Sequence, residues 1–242
     1  LTQGPDRALY VNNANHLYVS HDRARTWQRL RLSEGLEGRR PGDIGNMVVH
    51  PADPDILFVP VLNGVAVSRD GGQTWRVENA GMILTQVSLL AVDPIDPAVV
   101  YAASAGGEGT FRSENRGNTW TWLNSGGLPH PWADELLVHP TDPSTIYEIV
   151  DIADVYRTEN AGDTWEIIWP QFRFSSIYAL STAPSDPSVL YACKNGFGLY
   201  KSEDGGDRWR FLHHSGVDYT YTIAVHPNDP DIVYSGYSPK PF

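Results

Sequence analysis

Ser68-Arg69-Asp70-Gly71-Gly72-Gln73-Thr74-Trp75 is one of five variants of a single octapeptide. The others are Ser20-His21-Asp22-Arg23-Ala24-Arg25-Thr26-Trp27, Ser113-Glu114-Asn115-Arg116-Gly117-Asn118-Thr119-Trp120, Thr158-Glu159-Asn160-Ala161-Gly162-Asp163-Thr164-Trp165 and Ser202-Glu203-Asp204-Gly205-Gly206-Asp207-Arg208-Trp209. Successive tryptophans lie 44 to 48 residues apart. A period in that range, filled by several short strands, predicts an all-β fold: a β-propeller of four-stranded antiparallel blades.

A second pattern keeps the same beat. It reads His50-Pro51-Ala52-Asp53-Pro54, Asp93-Pro94-Ile95-Asp96-Pro97, His139-Pro140-Thr141-Asp142-Pro143, Ala183-Pro184-Ser185-Asp186-Pro187 and His226-Pro227-Asn228-Asp229-Pro230. Each copy precedes an apolar run ending in an aromatic, as in Ile56-Leu57-Phe58 and Val189-Leu190-Tyr191. Proline donates no ladder hydrogen bond and restricts its predecessor, so this segment reads as a turn between strands A and B of a blade.

Period-two alternation before each such turn marks strand A: Met47, Leu90, Leu136, Leu180 and Ile223, then Val49, Val92, Val138, Thr182 and Val225. Strand B is the apolar-aromatic run. Strand C enters the octapeptide directly, and the octapeptide is the C–D turn. Its Asp or Asn can accept backbone N–H groups, its fifth-position Gly tolerates positive φ, and its Trp can bury a ring between sheets with the indole N–H left for an acceptor. The first copy carries Ala24 where the rest carry Gly, and is expected to be the most distorted.

The five octapeptides closely resemble the Asp box, Ser-x-Asp-x-Gly-x-Thr-Trp, of the bacterial neuraminidase repeat family. Similar repeats occur in sialidases, xyloglucan-active glycoside hydrolases, sorting-receptor propellers of the sortilin type and photosystem II assembly factors. The resemblance covers about residues 8 to 236. It implies a structural hairpin at the blade periphery, away from the catalytic centres of the enzymes, and an extracytoplasmic location, secreted or periplasmic.

Residues 1–242 are expected to form one propeller domain or part of a larger one. Ala8-Leu9-Tyr10-Val11 matches Ile232-Val233-Tyr234-Ser235, giving six B-like segments against five of every other element. In a ring of five blades the two would compete for one slot; otherwise the propeller is larger.

A net charge of −11 with only three lysines excludes a phosphate-binding surface for nucleic acid. No apolar run is long enough to span a bilayer as a helix. The single cysteine, Cys193, occupies a small-residue position of its repeat and reads as packing. His50, His139 and His226 recur because the turn recurs, so neither a metal nor a cofactor is expected.

Function is expected on the D–A and B–C connections, which share the face opposite the regular turns and diverge between repeats. Candidate contact residues there are Arg39, Arg40, His130, Trp132, Trp169, Phe172, Arg173, Tyr219 and Tyr221. Trp132 follows Pro131 in a stiff loop, which lowers the entropy lost on contact. The first reading is a non-catalytic scaffold binding a protein or a glycan, on its own or as a subunit of a larger complex. The alternative is a glycoside hydrolase, xyloglucanase-like or sialidase-like, which needs two carboxyl groups across a cleft. Asp43, Asp134, Glu135, Asp151 and Asp218 are the candidate acids. Connections this short favour binding.

Overall fold

The computed structural model describes residues 2–13, 16–32, 46–61, 63–82, 86–104, 109–123, 127–128, 133–150, 154–169, 177–194, 198–213 and 219–238. The fold is all-β and propeller-like, and the chain divides into two compact units, Leu1–Ser125 and Gly126–Phe242.

The first unit holds three antiparallel sheets of four strands, each ordered as in the sequence. They are β1 (Thr2–Gln3), β2 (Leu9–Asn13), β3 (His16–Ser20) and β4 (Gln28–Leu30); then β5 (Val48–Val49), β6 (Leu57–Val61), β7 (Gly64–Ser68) and β8 (Arg76–Glu78); then β9 (Val87–Val92), β10 (Val100–Ser104), β11 (Thr110–Ser113) and β12 (Thr121–Leu123). The second unit holds two more: β13 (Ala133–Val138), β14 (Ile146–Val150), β15 (Asp154–Thr158) and β16 (Glu166–Trp169); then β17 (Ile177–Ala183), β18 (Asp186–Lys194), β19 (Gly198–Ser202) and β20 (Arg210–His213). A two-stranded sheet of β21 (Tyr219–Val225) and β22 (Val233–Ser238) completes it.

The spare B segment is thereby explained. β2 and β22 do not compete for one sheet, because β2 has its own A strand in β1, paired through Thr2 with Tyr10 and Gln3 with Leu9. That two-residue strand escaped the sequence reading. Its turn shortens the usual motif to Gly4-Pro5-Asp6, with the Ala8 N–H donated to the Asp6 carboxylate. A further correction concerns Ala183-Pro184-Ser185-Asp186-Pro187, where Asp186 and Pro187 lie within β18 rather than in the turn. The register shifts between Thr182 and Ala183, so Ala183 pairs with Asp186 across a two-residue turn.

Each blade presses an apolar face on its neighbour within a unit. In the first unit Tyr10, Leu17 and Leu30 pack with Leu57, Val59 and Trp75, and the other face of that second sheet, Phe58 and Val67, packs with Val100, Phe111 and Trp120. In the second unit Tyr147, Ile149 and Trp169 pack with Leu180, Leu190 and Tyr200. Val189 and Tyr191 then pack with Val225 of the two-stranded sheet.

The two recurrent turns lie side by side in each blade. The backbone N–H at the fourth octapeptide position donates to the A–B turn of its own blade, Gly71 to Asp55, Arg116 to Ala98 and Ala161 to Ser144, while Gly205 donates to Ser188 at the start of β18. Within the octapeptide the first-position hydroxyl caps the fifth-position N–H, and the third-position carboxylate or amide caps the seventh. In the second copy these are Gly72 N to Ser68 Oγ at 2.8 Å and Thr74 N to Asp70 Oδ1 at 2.8 Å. Hydrogen bonds donated by the Thr26 hydroxyl and N–H, then by the Ser20 hydroxyl and the Arg25 N–H, hold the Asp22 carboxyl at about 2, well below the usual range. At the A–B turns His50, His139 and His226 accept turn N–H groups through Nδ1, as Asp93 does through its carboxylate. That shared acceptor role is why His and Asp interchange there.

The first octapeptide is not distorted. Ala24 N reaches Ser20 Oγ at 2.9 Å and Thr26 N reaches Asp22 Oδ1 at 2.8 Å, matching its sisters. Positions four and five are both left-handed in all five copies, including Arg23 at 61° and Ala24 at 66°. The tryptophans depart from expectation instead. Trp75, Trp120 and Trp165 are buried, Trp209 is half-buried, and Trp27 is 40% exposed because no described sheet lies in front of it. Only Trp75 shows the expected indole bond, to Gly72 O at 3.1 Å, whereas the buried indole nitrogens of Trp120, Trp165 and Trp209 have no partner among the described residues.

Candidate functional site

Most of the loop candidates fall outside the described residues: Arg39, Arg40, Asp43, His130, Trp132, Asp151, Phe172, Arg173 and Asp218. Tyr219 and Tyr221 lie on β21, two positions apart, with their side chains outside the description. Asp134, Glu135 and Trp169 can be placed in full.

Asp134 and Glu135 are neighbours on β13 where the register shifts between Ala133 and Glu135, leaving Asp134 as the extra, bulged residue of the strand. Asp134 is exposed. The Glu135 carboxylate accepts the Leu180 N–H of the next blade at 2.7 Å. Burial of that carboxyl raises its pKa to about 7, against which the single N–H bond is a smaller, opposing effect.

The same backbone position is clasped twice in the first unit. Thr2 Oγ1 donates to Met47 O at 2.8 Å, and the Asn46 amide both donates to Leu90 O at 3.1 Å and accepts from Leu90 N at 2.9 Å. Met47, Leu90 and Leu180 are equivalent strand A residues, so Glu135 is the third member of a series of interblade clasps. Close by, Cys193 is buried and unpaired by disulfide, and its thiol is pushed up to about 12, first by burial and then by the Glu135 charge. An ionised thiolate nucleophile is excluded at neutral pH.

Trp169 is 2% exposed and lies at the bottom of a cleft between the outer strands β16 and β20. A bulge on β16, where Ile168 is the extra residue between the Val155–Trp169 and Tyr156–Ile167 pairs, turns both Ile168 and Trp169 inward. Trp169 meets Trp209 at 4.4 Å and Tyr200 at 4.9 Å, and Tyr200 meets Phe211 at 5.4 Å, centroid to centroid. The cleft has a volume of about 780 Å³. Trp122, on β12, is 41% exposed.

The loop sequences do not announce this cleft, because its residues lie on strands and at a corner. The signal was present as departures from the repeat. Trp169 stands four residues after its octapeptide Trp, where sisters have Arg31, Asn79 and Asn124, and Arg208 replaces the Thr of the other four copies.

The blades, their order and their paired corners together decide the architecture. The fold is all-β and propeller-like, built of four-stranded antiparallel blades. No family model matches the chain. It is 28% identical over 155 residues to the oligoxyloglucan-reducing end-specific xyloglucanase of Emericella nidulans, covering 57% of this chain and 18% of the relative. Its fold is similar to that of the Niastella koreensis GH74 enzyme, with a TM-score of 0.73 at 17% identity over 97% of this chain and 43% of that one. The structure of YCF48 bound to D1 peptide gives 0.66 at 16% identity over 91% and 68%. The extracellular domain of BT4673 from B. thetaiotaomicron gives 0.74 at 13% identity over 96% and 31%. The chain thus spans less than a fifth of the curated enzyme and under half of the GH74 chain. Its structural neighbours include both glycoside hydrolases and a peptide-bound propeller.

Proposed function

We propose that this chain is a non-catalytic binding scaffold that offers the D–A and B–C side of its blades to a protein or glycan partner outside the cytoplasm, alone or within a larger propeller or complex. The observation that carries the reading is the use made of Glu135. Of the candidate loop acids whose side chains are described, Asp134 is exposed and Glu135 is committed to the Leu180 clasp. The B–C connections are equally spare: β6 ends at Val61 and β7 begins at Gly64, and β18 ends at Lys194 with β19 beginning at Gly198. Rigid blades with short connections hold a contact surface at low entropic cost.

A second reading, glycoside hydrolysis, is favoured by the identity to the xyloglucanase. It would use Asp43, Asp151 or Asp218, since retaining and inverting chemistry both require two facing carboxyl groups.

The test is to incubate the protein with xyloglucan oligosaccharides and sialosides, follow reducing-end release, and measure binding of the same glycans by calorimetry. Binding without turnover supports the scaffold. Turnover abolished by any one of Asp43→Asn, Asp151→Asn or Asp218→Asn overturns it in favour of the hydrolase.

A further inference from the structure

The cleft between β16 and β20 lies on the outer strands of the second unit, and the loop-face reading makes no use of it. Four rings follow one another along its wall and floor in the order Trp209, Trp169, Tyr200, Phe211, each within 5.4 Å of the next. Each ring is tilted or edge-on to its neighbour, so the row is interlocked and its outer members are held in place. Trp169 and Tyr200 are buried, Phe211 at the open end is 49% exposed, and Trp209 is partly buried. Ile167, on the opposite side, is 41% exposed. These are large apolar groups shown to water beside an ordered aromatic floor.

The polar rim is balanced in charge. Arg157 and Arg208 stand against Glu166 and Asp207. Arg157 is used up structurally: it binds Glu166 through Nε at 3.0 Å, Asp207 at 2.9 Å and Gly205 O at 3.1 Å, tying β15 to the corner of the next blade. That fixes the Glu166 and Asp207 carboxylates as acceptors at the rim, and the exposed Arg208 guanidinium adds donors. Two cations and two anions give no field to draw a phosphate or a polycation. Ring faces flanked by both donors and acceptors suit a ligand with an apolar C–H face and hydroxyls around its edge.

We propose that this cleft is a binding site for a neutral carbohydrate, with a pyranose ring lying on Phe211 and Trp209 and its hydroxyls reaching Arg208, Asp207 and Glu166. The volume is within the range of small-molecule sites and admits more than one ring. The residues that depart from the repeat, Trp169 and Arg208, both border it. Trp169 serves as the positioning residue that braces Trp209, and Phe211 as the contact.

The experiment is calorimetric titration of the whole chain with cellotetraose, laminaritetraose and a xyloglucan heptasaccharide, alongside sialyllactose and a neutral tetrapeptide. At least one neutral sugar is expected to bind with quenching of tryptophan fluorescence. Phe211→Ala should weaken it about tenfold or more, with a small fall in thermal midpoint from the lost Tyr200 contact, and Arg208→Ala several-fold with an unchanged midpoint, whereas Trp122→Ala leaves binding unchanged. Failure of all three neutral sugars, stronger binding of sialyllactose or the peptide, or indifference to both Phe211→Ala and Arg208→Ala overturns the proposal. Binding that is lost in Trp132→Ala but kept in Phe211→Ala places the sugar on the loop face and also overturns it, while leaving the scaffold reading intact.

Discussion

The first corner, Ser20 to Trp27, and the last, Ser202 to Trp209, are chemically the same turn in different surroundings. Both use a serine Oγ to cap the fifth N–H at 2.9 Å and an aspartate to cap the seventh, at 2.8 Å in one and 2.9 Å in the other. They differ in what stands in front. Gly206 is buried beneath Ile168, and a Cβ on it would come 2.4 Å from Ile168 Cδ1; Gly72 is pressed by Leu30 and Gly117 by Phe58 and Val67. Ala24 is exposed. Glycine at the fifth position therefore answers two demands: a left-handed backbone, which alanine can meet at a cost of about 1–2 kcal/mol, and space for the preceding blade, which alanine cannot meet. The first corner keeps only the first demand, and the exposure of Trp27 has the same origin.

If covering by a neighbour is what separates the corners, tryptophan truncation should show it most strongly. Trp75→Ala is expected to lower unfolding stability by about 3–5 kcal/mol, and Trp27→Ala by less than about 1 kcal/mol, in urea titrations. Equal losses would break the comparison.

The glycine pair sharpens it. Gly206→Ala combines a 101° φ with a clash against Ile168 and should cost about 2–3 kcal/mol. Ala24→Gly relieves the backbone but adds freedom to the unfolded chain, so the same titration should move by less than about 1 kcal/mol. A large change at Ala24 would mean that something covers that corner after all.

The clasps carry the comparison to strand A. Asn46 makes two bonds to Leu90 at any pH, whereas an ionised Glu135 can only accept from Leu180. Its carboxyl titrates near 4.5 when unfolded and near 7 when folded, so the ionised form is disfavoured in the native state. The stability it contributes is complete below pH 4.5 and is lost as pH rises to 7. After allowing for partial exposure of the residue, the loss is about 2 kcal/mol. Glu135→Gln offers an amide in the manner of Asn46, so its unfolding midpoint should be the higher of the two at pH 8, with the difference shrinking or reversing at pH 4. A midpoint difference independent of pH would show that the clasp is neutral throughout.

The blades were legible because their signals are local. Octapeptide capping needs only Ser, Asp and Thr at fixed offsets, and strand alternation needs only one buried face. β1 was missed because two residues and a shortened turn, Gly4-Pro5-Asp6, carry too little pattern. The exposure of Trp27 could not be read from its octapeptide, since it depends on which sheet lies opposite. The role of Glu135 was hidden for the same reason: its partner is a backbone N–H 45 residues away. The cleft went unread because Trp169, Tyr200, Trp209 and Phe211 come from three strands and a corner, and only the bulge at β16 brings them into one row.

The two-stranded sheet has a consequence for how the isolated protein behaves in solution. Among the described residues β22 pairs only with β21, and Ile232 and Tyr234 beside its bare ladder are 42% and 58% exposed. Such an edge is a template on which an extended segment of another molecule can lie. Concentrated samples should therefore self-associate through it, and a single proline or lysine introduced along Val233–Ser238 should keep them dispersed.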